Sequence, residues 1–109
     1  KQLLAKRCTH PFSAVYVTSE MMTAGALQAI REANLRVGWD ISLIGFDVHD
    51  ELGLTTPKIT TIRQPEMEIG VQTGQLLLQL LNPAKYGVPG STQVLTQVYL
   101  QLGDSIASI

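Results

Sequence analysis

The chain has a single cysteine, Cys8, so it cannot form an internal disulfide. That suits a reducing compartment and excludes a disulfide-stapled secreted module. No low-pKa setting surrounds Cys8, which reads as inert rather than as a reactive thiol. Charge is also sparse: 8 Lys+Arg stand against 9 Asp+Glu, 16% of residues are charged, and the net charge is −1. No general basic footprint for nucleic acid exists, and a DNA reader would have to sit elsewhere. A run of about 18 apolar residues, enough to cross a bilayer, is missing too. The greasiest stretch, Leu76-Leu77-Leu78-Gln79-Leu80-Leu81, is too short, and no charged-then-apolar signal segment opens the chain. What is abundant is aliphatic side chain, with 45% of residues hydrophobic, which excludes intrinsic disorder. The 109 residues fit one compact domain, with a core burying roughly 65% of the unfolded surface. The opening Lys1-Gln2-Leu3-Leu4-Ala5-Lys6-Arg7, rather than Met, reads as the tail of a helix and hence as a fragment of something longer.

Hydrophobic periodicity divides the chain into alternating elements. After a break at His10-Pro11, residues 13–18 form a short buried strand. Residues 20–34 have helical spacing, with Met22, Ala26, Ala29, Ile30 and Ala33 on one broad face. Thr18 or Ser19 can cap that helix, and Glu20 faces the positive end of its dipole. Residues 41–46 make a second buried strand ending at Asp47, and 48–57 a loop or short helix. A third strand covers 58–62. Pro65 sits in the first turn of the longest helix, 66–81, which stops at Asn82-Pro83. After a turn-rich stretch at 86–91, residues 93–102 alternate in polarity as a final edge strand. This order predicts an α/β fold with a parallel-rich sheet and helices on its faces. Functional side chains then belong at the carboxyl ends of the strands. Thr18-Ser19-Glu20 and Asp47-Val48-His49-Asp50 fall there.

Asp47, His49 and Asp50 are metal-ligand types, but without a second His or a Cys nearby the cluster reads as a polar strand-end loop. Asp47, fixed at a strand terminus, is better placed to accept paired hydroxyl hydrogen bonds from a polyol, since charged acceptors make the stronger bonds. Ser19 occupies a strand-to-helix position, yet Gly-x-Ser-x-Gly is absent and helix capping is the simpler role. Gly70-x-x-x-Gly74 predicts close packing of helix on sheet. No glycine-rich phosphate loop follows a strand, and Glu20 would repel a phosphate.

Several blocks together resemble the LacI/GalR repressors. Residues Ala14-Val15-Tyr16-Val17-Thr18-Ser19-Glu20-Met21-Met22-Thr23-Ala24-Gly25-Ala26 are similar to that family's strand, Asn-Asp and helix segment. Leu35-Arg36-Val37-Gly38-Trp39-Asp40-Ile41-Ser42-Leu43-Ile44-Gly45-Phe46-Asp47 resembles its L-R-V-P-x-D-I-S-V-I-G-F-D. Pro57-Lys58-Ile59-Thr60-Thr61-Ile62-Arg63-Gln64-Pro65 resembles its P-x-L-T-T-I-R-Q-P, and the spacing between blocks agrees. The likeness covers about residues 12–105.

The resemblance implies an incomplete lobe of a periplasmic-binding-protein-like (type I) fold, a three-layer αβα arrangement. The whole chain, 1–109, would be one fragment of an effector-binding and dimerisation domain. Residues 12–63 would belong to the C-terminal lobe, 64–92 to a crossover helix of the other lobe, and 93–105 to a returning strand. The family's N-terminal helix-turn-helix, hinge helix and most of its N-terminal lobe have no counterpart here. Asp47 takes the place of the family's effector-contacting aspartate. Ser19 stands where the family has Asn, and Glu20 replaces its Asp. Serine lacks the paired amide donor and acceptor, which implies an effector unlike that of a close sugar-binding relative. Gln64 and Glu66 would line the cleft, and Met21, Ala24, Leu52 and Thr55 the dimer surface. Leu100-Gln101-Leu102-Gly103-Asp104-Ser105 keeps the ends of the family's L-V-x-R-x-S but has Gly103 for the arginine. Implied partners are a sugar-like effector, a second copy of the chain, and operator DNA only through the absent N-terminal domain. Neither a cofactor, a metal nor a membrane is implied, the location would be cytoplasmic, and the protein would not be an enzyme. A solute receptor without DNA binding, and a hydrolase or metal enzyme using Asp47 with His49, stand as the other classes.

Overall fold

The computed structural model describes residues 12–49 and 56–107. Its elements are β1 (Ala14–Tyr16), α1 (Glu20–Glu32), β2 (Ser42–Phe46), β3 (Thr60–Arg63), α2 (Glu66–Leu81), a single turn α3 (Pro83–Tyr86) and β4 (Tyr99–Gln101). The four strands form one sheet in the order β1-β2-β3-β4. β1 to β3 are mutually parallel, and β4 closes the edge antiparallel to β3. This is the parallel-rich α/β class expected from the alternation of elements. The chain divides into two compact units, one holding the described residues through Arg63 and from Tyr99 onward, the other Gln64–Val98.

In the first unit the core consists of Val17, Ile30, Val37, Ile41, Leu43, Val48 and Ile59, with Phe12, Val15, Ala26, Leu27 and Leu35 packed against it. α1 reaches this core through Thr23, Ala26, Leu27 and Ile30, a stripe at three- and four-residue spacing. The buried face is therefore rotated from the one periodicity gave. Met22, expected inside, is 60% exposed, and Thr23 takes the buried position. Thr23 can be buried because its hydroxyl donates to the Ser19 carbonyl at 2.8 Å. Gly45 on β2 makes the approach possible: a Cβ there would run into Val48 and crowd the Thr23 hydroxyl. The helix also ends two residues early, at Glu32, with Ala33 as cap and Asn34 in the left-handed region at φ 55°.

Between α1 and β2, Asp40 folds back on Arg36. Its carboxylate accepts from the Arg36 backbone N–H (2.8 Å) and from Nε and Nη2 of the guanidinium (3.0 and 3.2 Å). That hydrogen bonding, and then the carboxylate's charge, raise the Arg36 pKa above its ordinary value.

Adjacent residues of a strand point to opposite faces, and the Thr60-Thr61 pair uses both. Thr60 serves the end of the sheet opposite Asp47, where its hydroxyl accepts the Gly103 N–H (3.0 Å) and its own N–H donates to Ser105 Oγ (2.8 Å). Buried Ser105 also donates to the Leu43 carbonyl. Gly103 is required here, because a Cβ would strike the Lys58 carbonyl. Any side chain there, the arginine of the resembling family included, would need the neighbouring backbone to shift.

In the second unit α2 runs over the bounds read from the sequence, with Glu66 and Glu68 in its first turn. A Cβ at Gly70 or Gly74 would meet nothing within 4 Å. One expectation fails. The alternating stretch 93–102 is a strand only over Tyr99–Gln101, because its partner offers only Thr61–Arg63 to pair with. The opening helical tail, Cys8 and the break at His10-Pro11 lie outside the described residues.

Candidate functional site

The parallel pairing of β1 with β2 places their carboxyl ends side by side, joined by the Val17 N–H donating to the Ile44 carbonyl at 2.8 Å. Ser19 leaves β1 and caps α1, its Oγ accepting the Met22 N–H at 3.3 Å. The capping expectation therefore holds for Ser19 rather than Thr18. Glu20 follows in the first turn of the helix.

Asp47 leaves β2 in the left-handed region, at φ 48°. Aspartate tolerates that region better than most residues, because its short polar side chain bonds locally. It is half-buried, the burial expected of a group at a strand tip rather than in the core. The turn it begins is held at each successive amide. Asp47 N–H donates to the Ile62 carbonyl (2.8 Å), Val48 N–H to Thr61 Oγ1 (3.1 Å), and His49 N–H to Glu20 Oε1 (3.0 Å). Arg63 Nη1 adds a long contact to the Val48 carbonyl at 3.5 Å. Val48 meanwhile folds its side chain into the core. A buried aliphatic one residue beyond an acidic group is what fixes the turn to the sheet while leaving the carboxylate near the surface.

Such a tip can present a fixed anionic acceptor to a ligand rich in hydroxyls, since charge-assisted hydrogen bonds are shorter and stronger than neutral ones. The structure brings Ser19, Glu20, Asp47 and His49 to this one end of the sheet. Gln64 and Glu66 belong to the second unit, where they precede and open α2. Two hollows of that unit are lined by Gln72, Leu76 and Val94 among others, and neither Gln64 nor Glu66 lines them. Of the expected dimer-surface residues, Met21 and Ala24 are exposed on α1, whereas Leu52 and Thr55 lie outside the described residues. On the same helix Leu27 packs inward, and both methionines, Met21 and Met22, are exposed.

Asp50, the third member of the acidic cluster, is also outside the described residues. Among those described, no group of three or more His, Cys, Asp or Glu side chains comes together as a metal site. No helix among them is long and apolar enough to cross a membrane.

Two contacts have no counterpart in the sequence reading: the bond from the His49 N–H to Glu20 Oε1 and the bond from the Val48 N–H to Thr61 Oγ1. The signal for Thr61 was present, since one threonine of an adjacent pair must face the turn that follows β2. Nothing local announces the reach of Glu20 across 29 residues.

Comparison with known proteins supplies the context for this geometry. Residues 1–105 match a family described as a periplasmic binding protein-like domain. The HTH-type transcriptional regulator RegA of Clostridium saccharobutylicum is 33% identical over 78 residues, 72% of this chain and 24% of that one. The HTH-type transcriptional repressor CytR of Escherichia coli is 39% identical over 77 residues, 71% of this chain and 23% of that one. A crystal structure of the Lac repressor dimer bound to operator and the anti-inducer ONPF superposes with a TM-score of 0.78 at 29% identity. That match covers 98% of this chain and 37% of the other. The chain thus spans roughly a quarter of the curated relatives it matches.

Proposed function

Because the chain belongs to the periplasmic binding protein-like domain family, in its LacI/GalR branch, we propose that it is the C-terminal part of the effector-binding and dimerisation domain of a sugar-responsive bacterial transcriptional repressor. The observation that carries this reading is Asp47: an anionic acceptor at a strand tip, held in a left-handed turn by a hydrogen bond at each of three successive amides. A preorganised carboxylate binds hydroxyl pairs without first losing the entropy of ordering itself. Ser19 would add a shorter polar contact beside it. Gln64 and Glu66 join the effector contacts by their place directly after the Thr60-Thr61-Ile62-Arg63 block.

In this reading the parent protein closes around its effector. Closure resets the spacing of DNA-reading heads carried by two copies of the protein. An effector achieves this only through unequal affinity for the open and closed states, a coupling on the order of 1–3 kcal/mol. Residues 12–63 would lie in the C-terminal lobe, with 64–92 and 93–105 as crossover helix and returning strand. Met21 and Ala24, exposed on α1, would face the second copy together with Leu52 and Thr55. Operator contact would come from a part of the parent outside this chain, in keeping with the net charge of −1. The protein would act in the cytoplasm, without enzymatic turnover.

The test uses the complete parent protein and a fluorescent operator duplex, titrated with mono- and disaccharides while anisotropy is read. At least one sugar should shift operator affinity by about fivefold or more, the lower end of typical allosteric coupling. Operator affinity indifferent to every sugar, alongside tight binding of an unrelated solute class, would overturn the proposal.

A further inference from the structure

We propose that Glu20 is a positioning residue for Asp47, acting by the reach of its side chain and not by its charge. This rests on the effector role proposed for Asp47. The turn Asp47-Val48-His49 is anchored at two amides by a single element: Ile62 and Thr61 are both on β3. Those two anchors, with the Val48 side chain in the core, hold the first two residues of the turn but not its third. The third amide, His49 N–H, instead reaches Glu20 Oε1 at the start of α1, 3.0 Å away. That bond ties the turn to a second, independently fixed body. The first turn of α1 is itself held by the Ser19 cap and by the Thr23 hydroxyl on the Ser19 carbonyl. With both sides attached, the direction in which Asp47 projects from the turn is set before any ligand arrives.

Length and charge can be separated at this position. A carboxylate in the first helical turn is favoured by the dipole whether it is Asp or Glu. Only the longer side chain spans the gap to the next strand tip. Variants therefore separate the two roles cleanly. Glu20→Gln keeps the reach and an accepting oxygen but loses the charge. Glu20→Asp keeps the charge and loses the reach, and Glu20→Ala loses both.

The experiment measures two quantities in the complete parent protein. One is the exchange rate of the His49 amide without any sugar. The other is affinity for D-glucose, D-galactose, D-ribose and cellobiose, each tested alone, with Asp47→Asn as a reference. Glu20→Ala and Glu20→Asp should speed His49 exchange about tenfold by local opening while leaving the melting temperature within about 2 °C. Both should weaken binding of the responding sugar about three- to tenfold, the range for losing one supporting hydrogen bond. Glu20→Gln should stay within about twofold of the unsubstituted protein on both readouts. Unchanged His49 exchange in Glu20→Ala would overturn the proposal, as would a Glu20→Asp variant that behaves normally while Glu20→Gln fails. Faster exchange with undiminished sugar affinity would show a tie that positions nothing. Sugar affinity unaffected by Asp47→Asn would strike the effector reading of Asp47 itself, and the exchange data would distinguish that failure from the others.

Discussion

At the scale of single residues, Asp47 is open to an unusually clean substitution. Asparagine accepts the left-handed backbone as readily as aspartate, so Asp47→Asn removes the charge without straining the turn at φ 48°. Effector binding by the parent protein, read by calorimetry, should weaken by about 1 kcal/mol or more, with the thermal melt unchanged. Ser19 has a second, structural role that can be measured separately. Its Oγ accepts the Met22 N–H at 3.3 Å, a long bond, so Ser19→Ala should cost about 0.5–1 kcal/mol in urea unfolding and Ser19→Gly only a few tenths. Gly103 is the reverse case, a position where adding atoms is harmful. A Cβ there meets the Lys58 carbonyl, so Gly103→Ala should destabilise by about 1–3 kcal/mol through overpacking. Equal stability of that variant would mean the segment shifts freely.

Among the elements, α1 shows how far the sequence could be read and where it stopped. Its existence and start followed from the periodic apolar residues and the cap, yet the buried stripe was misplaced by one position, with Met22 chosen over Thr23. Apolar character argued for Met22, but the tight approach at Gly45 admits only a small side chain, and threonine satisfies its own hydroxyl there. Truncation should rank accordingly: Ile30→Ala, at a position only 2% exposed, should cost about 2–5 kcal/mol, and Met22→Ala less than about 0.5 kcal/mol, both by denaturant titration. β4 teaches the complementary lesson. The alternation over 93–102 reports which faces a strand could present, whereas pairing decides where a strand exists, and β3 offers only Thr61–Arg63. The bounds of α2 were fully legible because a helix makes its own hydrogen bonds within the segment. The candidate site was legible only in part. Its place and Asp47 both follow from topology, and the resemblance points to the same aspartate, but the ties that hold it span 13 and 29 residues and leave no local pattern.

For the whole molecule, large apolar side chains lie open to solvent over much of the second unit and the last strand. Met67 is 82% exposed, Leu81 73% and Leu95 98%. Exposure of many large apolar side chains is an association hazard in an isolated chain. The 109 residues by themselves should therefore self-associate in sedimentation at micromolar concentration and should not retain operator DNA in a gel shift at physiological salt. The central claim, that the strand-tip carboxylate grips a polyhydroxylated effector, is tested most directly by thermal-shift titration of the complete parent protein and its Asp47→Asn variant against a sugar panel. One sugar should raise the melting temperature of the unsubstituted protein in a concentration-dependent way, with the Asp47→Asn curve displaced to about fivefold or more higher concentration. Superimposable curves for the two proteins would contradict it.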